Sequence, residues 1–343
     1  MEKILYLAHT GPDGTLPKVA IEALGAAAGL AKALAGSTLA VGLVGENVQA
    51  AADGIGGAST TFLGVSGPDF AASRYATDAA AAVALARAAG ATLVVAPMTA
   101  RFGRALPGAA QRLDGGIDTH VVGIAAEGNR VFIQRWYYRQ RMVATLARAQ
   151  RPWFLLVDSG AFEPWQGCAG SASVQAVAAE LPKPSRTRVV GVEAASAGGA
   201  QTIRPEAPLL FVAGAGWTKK QSDGQPHVKE AAELILGFLE RSQASLGSSK
   251  SLVDQSSEGE EVLPFLSHLN QVGQTGATPR HPKGLSTCCH GEEPHVVGWR
   301  FIKERRAVNL DPNCGWARGK ADVVYVADAF KVVARVNELL SEG

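Results

Sequence analysis

The sequence predicts an α/β chain made of two Rossmann-like, doubly wound parallel-sheet domains. Three observations carry this. Short apolar runs of strand length recur along the chain, as strands covered on both faces require. Between them lie stretches with helical composition or spacing, such as the Ala-rich run that stops at Gly90. The alternation also runs twice, broken by a linker-like Gly- and Ser-containing stretch from Gly191 to Pro208. With 343 residues, 47% of them hydrophobic, the chain can bury two cores. The expected domains are residues 1–195 and 205–343.

The elements follow in order. Ile4 to Leu7 reads as a first strand, Leu39 to Val44 as the next, and Thr92 to Pro97 as another. Asp78 to Gly90 reads as the helix between the last two. Val131 to Arg148 and Trp153 to Val157 read as further strands with an Ala-rich stretch, in an order that departs from simple alternation. The second rhythm begins with Leu209 to Gly214, a strand running into a Gly-rich turn. A helix over Val228 to Arg241, strands at Arg306–Asn309 and Ala321–Val326, and a last helix from about Phe330 to Leu340 complete it. Gln243 to Asn270 is polar and Ser-rich, with the acidic run Glu258-Gly259-Glu260-Glu261, and reads as an exposed loop.

Composition narrows the functional classes. A formal net charge of +2, with scattered cations, gives no electrostatic footprint for nucleic acid or an anionic membrane. No secretory signal is expected at Met1-Glu2-Lys3, and no apolar run approaches the ~20 residues of a membrane helix. Membrane insertion is therefore not expected. The four cysteines are Cys168, Cys288, Cys289 and Cys314. Two of them are adjacent, which suits a disulfide framework poorly and a reduced, cytoplasmic setting better.

Four constellations in the second half have chemical potential. Gly214-Ala215-Gly216-Trp217-Thr218 is a Gly-rich turn after a strand, able to offer amides to a phosphate or simply to close a turn. Gly247-Ser248-Ser249-Lys250-Ser251-Leu252-Val253-Asp254 is a small-residue turn with a cation, or a solvated loop. Gln271-Val272-Gly273-Gln274-Thr275-Gly276 combines close backbone approach with an amide and a hydroxyl. Ser286 to Trp299 carries Cys288, Cys289, His290, Gly291 and His295, and its Pro294 suits a helix start.

The order of these pieces resembles the alpha subunit of electron-transfer flavoproteins, and the wider FixB-type family. The run is Gly-x-Ser-Lys-x-x-Val-Asp, Val-Gly-Gln-Thr-Gly, Gly-x-x-x-His, Val-Asn-x-Asp-Pro, then Ala-Asp-x-x-x-x-x-Asp, closing on Asp328. The likeness is strong after about residue 205. It is weaker before, where Thr99 to Pro107 and Phe162-Glu163-Pro164 are similar to family segments.

The resemblance implies FAD as cofactor, with no catalytic residues and no metal. It places the cofactor against Ser249, Lys250, Ser251, Gln271, Val272, Gly273, Gln274, Thr275, Gly276, His290, Gly291, His295, Asn309, Asp311 and Asp322. It puts Thr275 at flavin N5, Lys250 over the ring where the family has arginine, His295 near flavin O2, and Asn309 and Asp322 at the adenosine end. The chain departs from the family in lacking an arginine in its Gly214-Ala215-Gly216-Trp217 turn and in carrying Glu292 and Glu293 before Pro294. The implied function is an electron carrier rather than an enzyme. Its implied partners are a beta subunit and a flavoprotein dehydrogenase donor, and the first domain is expected to contact the former without binding a cofactor. Two alternatives stand beside it: a metal or iron–sulfur subunit using Cys288, Cys289 and Cys314, and a structural subunit that has lost FAD.

Overall fold

The computed structural model describes residues 1–137, 142–183, 187–191, 203–204, 207–254, 262–272, 279, 281–287, 302–312 and 321–342. The chain divides into two compact units, Met1–Glu193 and Ala194–Gly343.

The first unit opens as the apolar periodicity predicts. Strand β1 (Lys3–His9) is buried from Ile4 to Ala8, and helix α1 (Lys18–Ala33) returns over it. Strand β2 (Thr38–Gly45), helix α2 (Gln49–Gly54), strand β3 (Phe62–Ser66), helix α3 (Tyr75–Ala88), strand β4 (Leu93–Pro97) and helix α4 (Ala100–Arg112) continue the rhythm. Gly90 ends the α3 turn with φ +55°, a conformation that costs glycine little. Thr99 caps α4 by accepting from the amide of Phe102. Buried alanines on α3, Ala79 to Ala82, let it pack closely beside α4, and the buried pair Arg101–Asp78, 2.7 Å apart, pins the two helices.

The departure from alternation lies in the middle of this unit. Strands β5 (Gly116–Glu127), β6 (Arg130–Tyr137) and β7 (Met142–Leu146) form an antiparallel extension, and β8 (Trp153–Val157) and β9 (Val174–Ala176) complete the set. The sheet runs β7-β6-β5-β8-β4-β1-β2-β3-β9, and every pairing other than β5–β6 and β6–β7 is parallel. Its two faces carry separate cores, one centred on α1 and Trp153, the other on α3, α4 and Phe154.

The second unit holds a five-stranded, wholly parallel sheet: β10 (Leu209–Ala213), β11 (Ser245–Ser248), β12 (Lys283–Thr287), β13 (Glu304–Asn309) and β14 (Val323–Val326), in the order β11-β10-β12-β13-β14. Helix α5 (Val228–Ser242) follows β10, short α6 (Lys250–Asp254) follows β11, and α7 (Ala329–Glu342) follows β14. One face buries Phe211, Trp217, Ile235, Phe238, Phe330 and Val333 between the sheet, α5 and α7. At ~1.5–3 kcal/mol for each large apolar side chain buried, this cluster is a main source of the unit's stability.

One expectation is corrected here. Gln243 to Asn270 is not a plain exposed loop: it contains β11, whose four residues are all buried, as well as α6 and the single turn His268–Asn270. Ser-Leu-Gly-Ser offers one large apolar side chain, so its burial is invisible in composition. It comes from hydrogen bonding beside β10 and from the close fit of Gly247, where a Cβ would stand 2.6 Å from Val272. Strand β12, central in the sheet, carries only one large apolar residue and likewise gives no sequence signal.

Candidate functional site

In a parallel sheet of this order, connections leave β10 toward one side and β12 toward the other. The crevice between their carboxyl ends is where such folds bind ligands. The described chain segments after β10, β11 and β13 start from this edge.

After β10, the amide of Gly214 donates to Thr287 O at the end of β12 (2.9 Å), and the amides of Trp217 and Thr218 are spent within the turn. Trp217 is fully buried, donates from Nε1 to Thr287 Oγ1 at 2.8 Å, and packs 4.5 Å from the ring of Phe330. The Gly-rich turn is thus an anchor of the core, and these three of its amides are not offered to a phosphate.

After β11, Ser249 donates its amide to Ala213 O (2.8 Å) and accepts from the amide of Leu252. Lys250 is about half exposed and lies 3.3 Å from Asp254, and Ser251 faces solvent. Desolvation raises the Asp254 carboxyl, but hydrogen bonds and charge from Lys250 and His268 outweigh it and hold it below the usual range.

The segment 267–272 lies along the same edge. Ser267 and Asn270 form a reciprocal capping box, and Asn270 reaches Leu246 O. Gln271 bridges to Ser248, and the buried Val272 donates its amide to Ser248 O at 3.0 Å. The chain is thereby led to the carboxyl end of β11 just before Gly273. Gly273, Gln274, Thr275, Gly276, His290, Gly291 and His295 lie outside the described residues, as do Cys288, Cys289, Cys314, Glu292 and Glu293.

Asn309 ends β13. Its Oδ1 accepts from the amide of Asp311, which is exposed. Its Nδ2 is buried and has no hydrogen-bond partner among the described residues. An unpaired buried donor is unfavourable, by ~1–3 kcal/mol. At a ligand-binding edge it fits a bound group with acceptor oxygens, such as the ribose and phosphates of a dinucleotide.

Asp322 is not brought to this edge. It precedes β14, accepts from the amide of Arg305 at 2.7 Å and pairs with the Arg305 guanidinium at 2.6 Å, next to the start of β13. Four strand steps, ~13 Å, separate it from Val326 at the carboxyl end. Side-chain and backbone hydrogen bonds from Arg305 hold its carboxyl below the usual range. The acidic residue that does follow the carboxyl end of β14 is Asp328, which caps α7 by accepting from the amide of Phe330 at 2.9 Å. The spacing of the two aspartates in the closing motif was the available signal, since six residues span a short strand.

Among the described residues, no group of three or more His, Cys, Asp or Glu side chains is arranged to hold a metal ion, and Cys168 is a free, exposed thiol. Nor is any described helix long and apolar enough to cross a membrane.

A family model described as electron transfer flavoprotein domain matches residues 4–184, which is most of the first unit. No curated protein matches the chain.

Proposed function

The chain belongs to the electron transfer flavoprotein domain family, and from that premise we propose that it is an alpha-type subunit holding FAD at the carboxyl edge of its second unit. Proteins of this family are electron carriers rather than enzymes. The proposed partners are a beta subunit and a flavoprotein dehydrogenase that donates electrons.

The observation that carries the reading is Asn309. Its buried Nδ2, without a partner among the described residues, stands at the end of β13, on the sheet edge where Ser249, Gln271 and Val272 also gather. The motif order supports it, because Gly273 to Gly276 follow directly from Val272. When bound, FAD supplies the electron chemistry, while the protein holds, orients and tunes it. Asn309 donates to the adenosine end, Asp328 takes the acidic role there that the motif had given to Asp322, and Thr275 and Lys250 face the flavin. The charge of Lys250 favours reduced, negatively charged flavin, although it lacks the planar guanidinium that stacks on a ring.

The test is an absorbance spectrum of the full chain co-produced with its beta partner. A yellow complex with bound FAD is expected. A folded, colourless complex that takes up no added FAD overturns the reading.

A further inference from the structure

We propose that the buried hydroxyl of Ser248 is a further cofactor contact, donating a hydrogen bond to an acceptor oxygen of the dinucleotide. This rests on the FAD reading above and adds a residue to it.

Ser248 is the last residue of β11 and is fully buried. It pairs with Ala213 at the end of β10 on one side and bridges to Gln271 on the other. Its carbonyl is used, by the amide of Val272. Its Oγ has no partner among the described residues. The neighbouring hydroxyls differ. Ser249 Oγ accepts from the amide of Leu252, Thr218 Oγ1 donates to Ala215 O, and Thr287 Oγ1 donates to Val212 O. Ser286 is engaged as well. Ser248 is therefore a hydroxyl left over at an edge where the others serve the fold.

The sequence makes this position informative. Strand side chains alternate, so Ser248 shares the face of Leu246, which belongs to the core under α5 and α7. An alanine would satisfy that face without burying a polar atom. A hydroxyl there weakens the empty site, since a buried donor without an acceptor is unfavourable. It becomes favourable once a ligand brings an oxygen, and the carboxyl edge is where a ligand of this fold arrives. Asn309 Nδ2 makes the same offer from β13, two strands beyond β10.

The experiment is a titration of FAD into deflavinated full chain, followed by flavin fluorescence, for wild type and Ser248→Ala. The variant is expected to bind FAD about five- to tenfold more weakly, the loss of one ordinary hydrogen bond. The melting temperature of its FAD-free form is expected to hold or to rise by about 2–4 °C, because the orphan hydroxyl is gone. Unchanged FAD affinity overturns the proposal. So does a lower melting temperature of the FAD-free variant, which means that the hydroxyl serves the fold. Failure of the wild type to bind FAD overturns the underlying reading instead, and it is seen before any variant is made.

Discussion

Lys250 lies 3.3 Å from Asp254, one turn further along α6, and His268 lies 3.0 Å from the other oxygen of the same carboxylate. Both ends of the Lys250–Asp254 pair are substantially exposed, 47% and 31%. Such a pair contributes ~0–1 kcal/mol, so the ammonium can turn to another anion at little cost. Lys250→Ala is expected to lower the flavin reduction potential while leaving the urea midpoint almost unchanged. Lys250→Arg should keep the potential, and Lys250→Glu should weaken FAD binding. A redox titration of the three variants checks this. Three unaltered titrations with unaltered FAD content reduce Lys250 to a surface ion pair.

Asn309 and Asp322 separate binding from folding. Asn309→Ala removes the unpaired donor and is expected to weaken FAD binding about tenfold, the effect of one hydrogen bond to a charged or strongly polar group. Asp322→Ala should leave FAD affinity alone and cost some stability, because its carboxylate joins β14 to Arg305. The folded-state acidity of Asp322 is enhanced, so its contribution is present above the unfolded value of ~3.9 and fades as pH falls through the folded value. Wild type and Asp322→Ala should therefore differ in stability near neutral pH and converge below about pH 4.

Thr275 gives the prediction closest to the chemistry. The proposed reading puts its hydroxyl at flavin N5, where it would stabilise the anionic reduced forms. Thr275→Val, close in shape, is expected to lower the reduction potential with FAD still bound. An unchanged potential removes Thr275 from the flavin.

Asp118 tests the first unit. Its carboxylate, fully buried in β5, is held by Arg135, Arg148 and the indole of Trp153. Desolvation raises its carboxyl, but hydrogen bonds from Arg148, Trp153 and Arg135 and the charge of Arg148 win, and it sits below the usual range. Asp118→Ala takes the acceptor from the buried indole of Trp153 and from the partly exposed Arg135 and Arg148, and should destabilise the unit by about 1–3 kcal/mol, measured by urea unfolding. The carboxylate's stabilisation is present above the unfolded value near 4 and is lost as pH falls through the depressed folded value, so acid should narrow the gap between wild type and variant.

By itself the sequence determined the α/β class, the strands whose apolar runs are continuous, and the helices with a clear stop. Leu93 to Pro97 and Trp153 to Val157 are legible because a strand covered on both faces must be apolar at every position. The order of motifs also marked Val272, Asn309 and Asp328 along the chain. Tertiary structure alone decided that Ser245 to Ser248 is a buried strand, since its stability comes from β10 and a fitted glycine rather than from its own side chains. It decided, too, that Asp322 and Asn309 stand at opposite ends of paired strands, a distinction that depends on where β14 begins. And it decided which hydroxyls and amides are already spent. Sequence supplies the donors and acceptors, but only packing determines which of them, like Asn309 Nδ2 and Ser248 Oγ, are left without a partner.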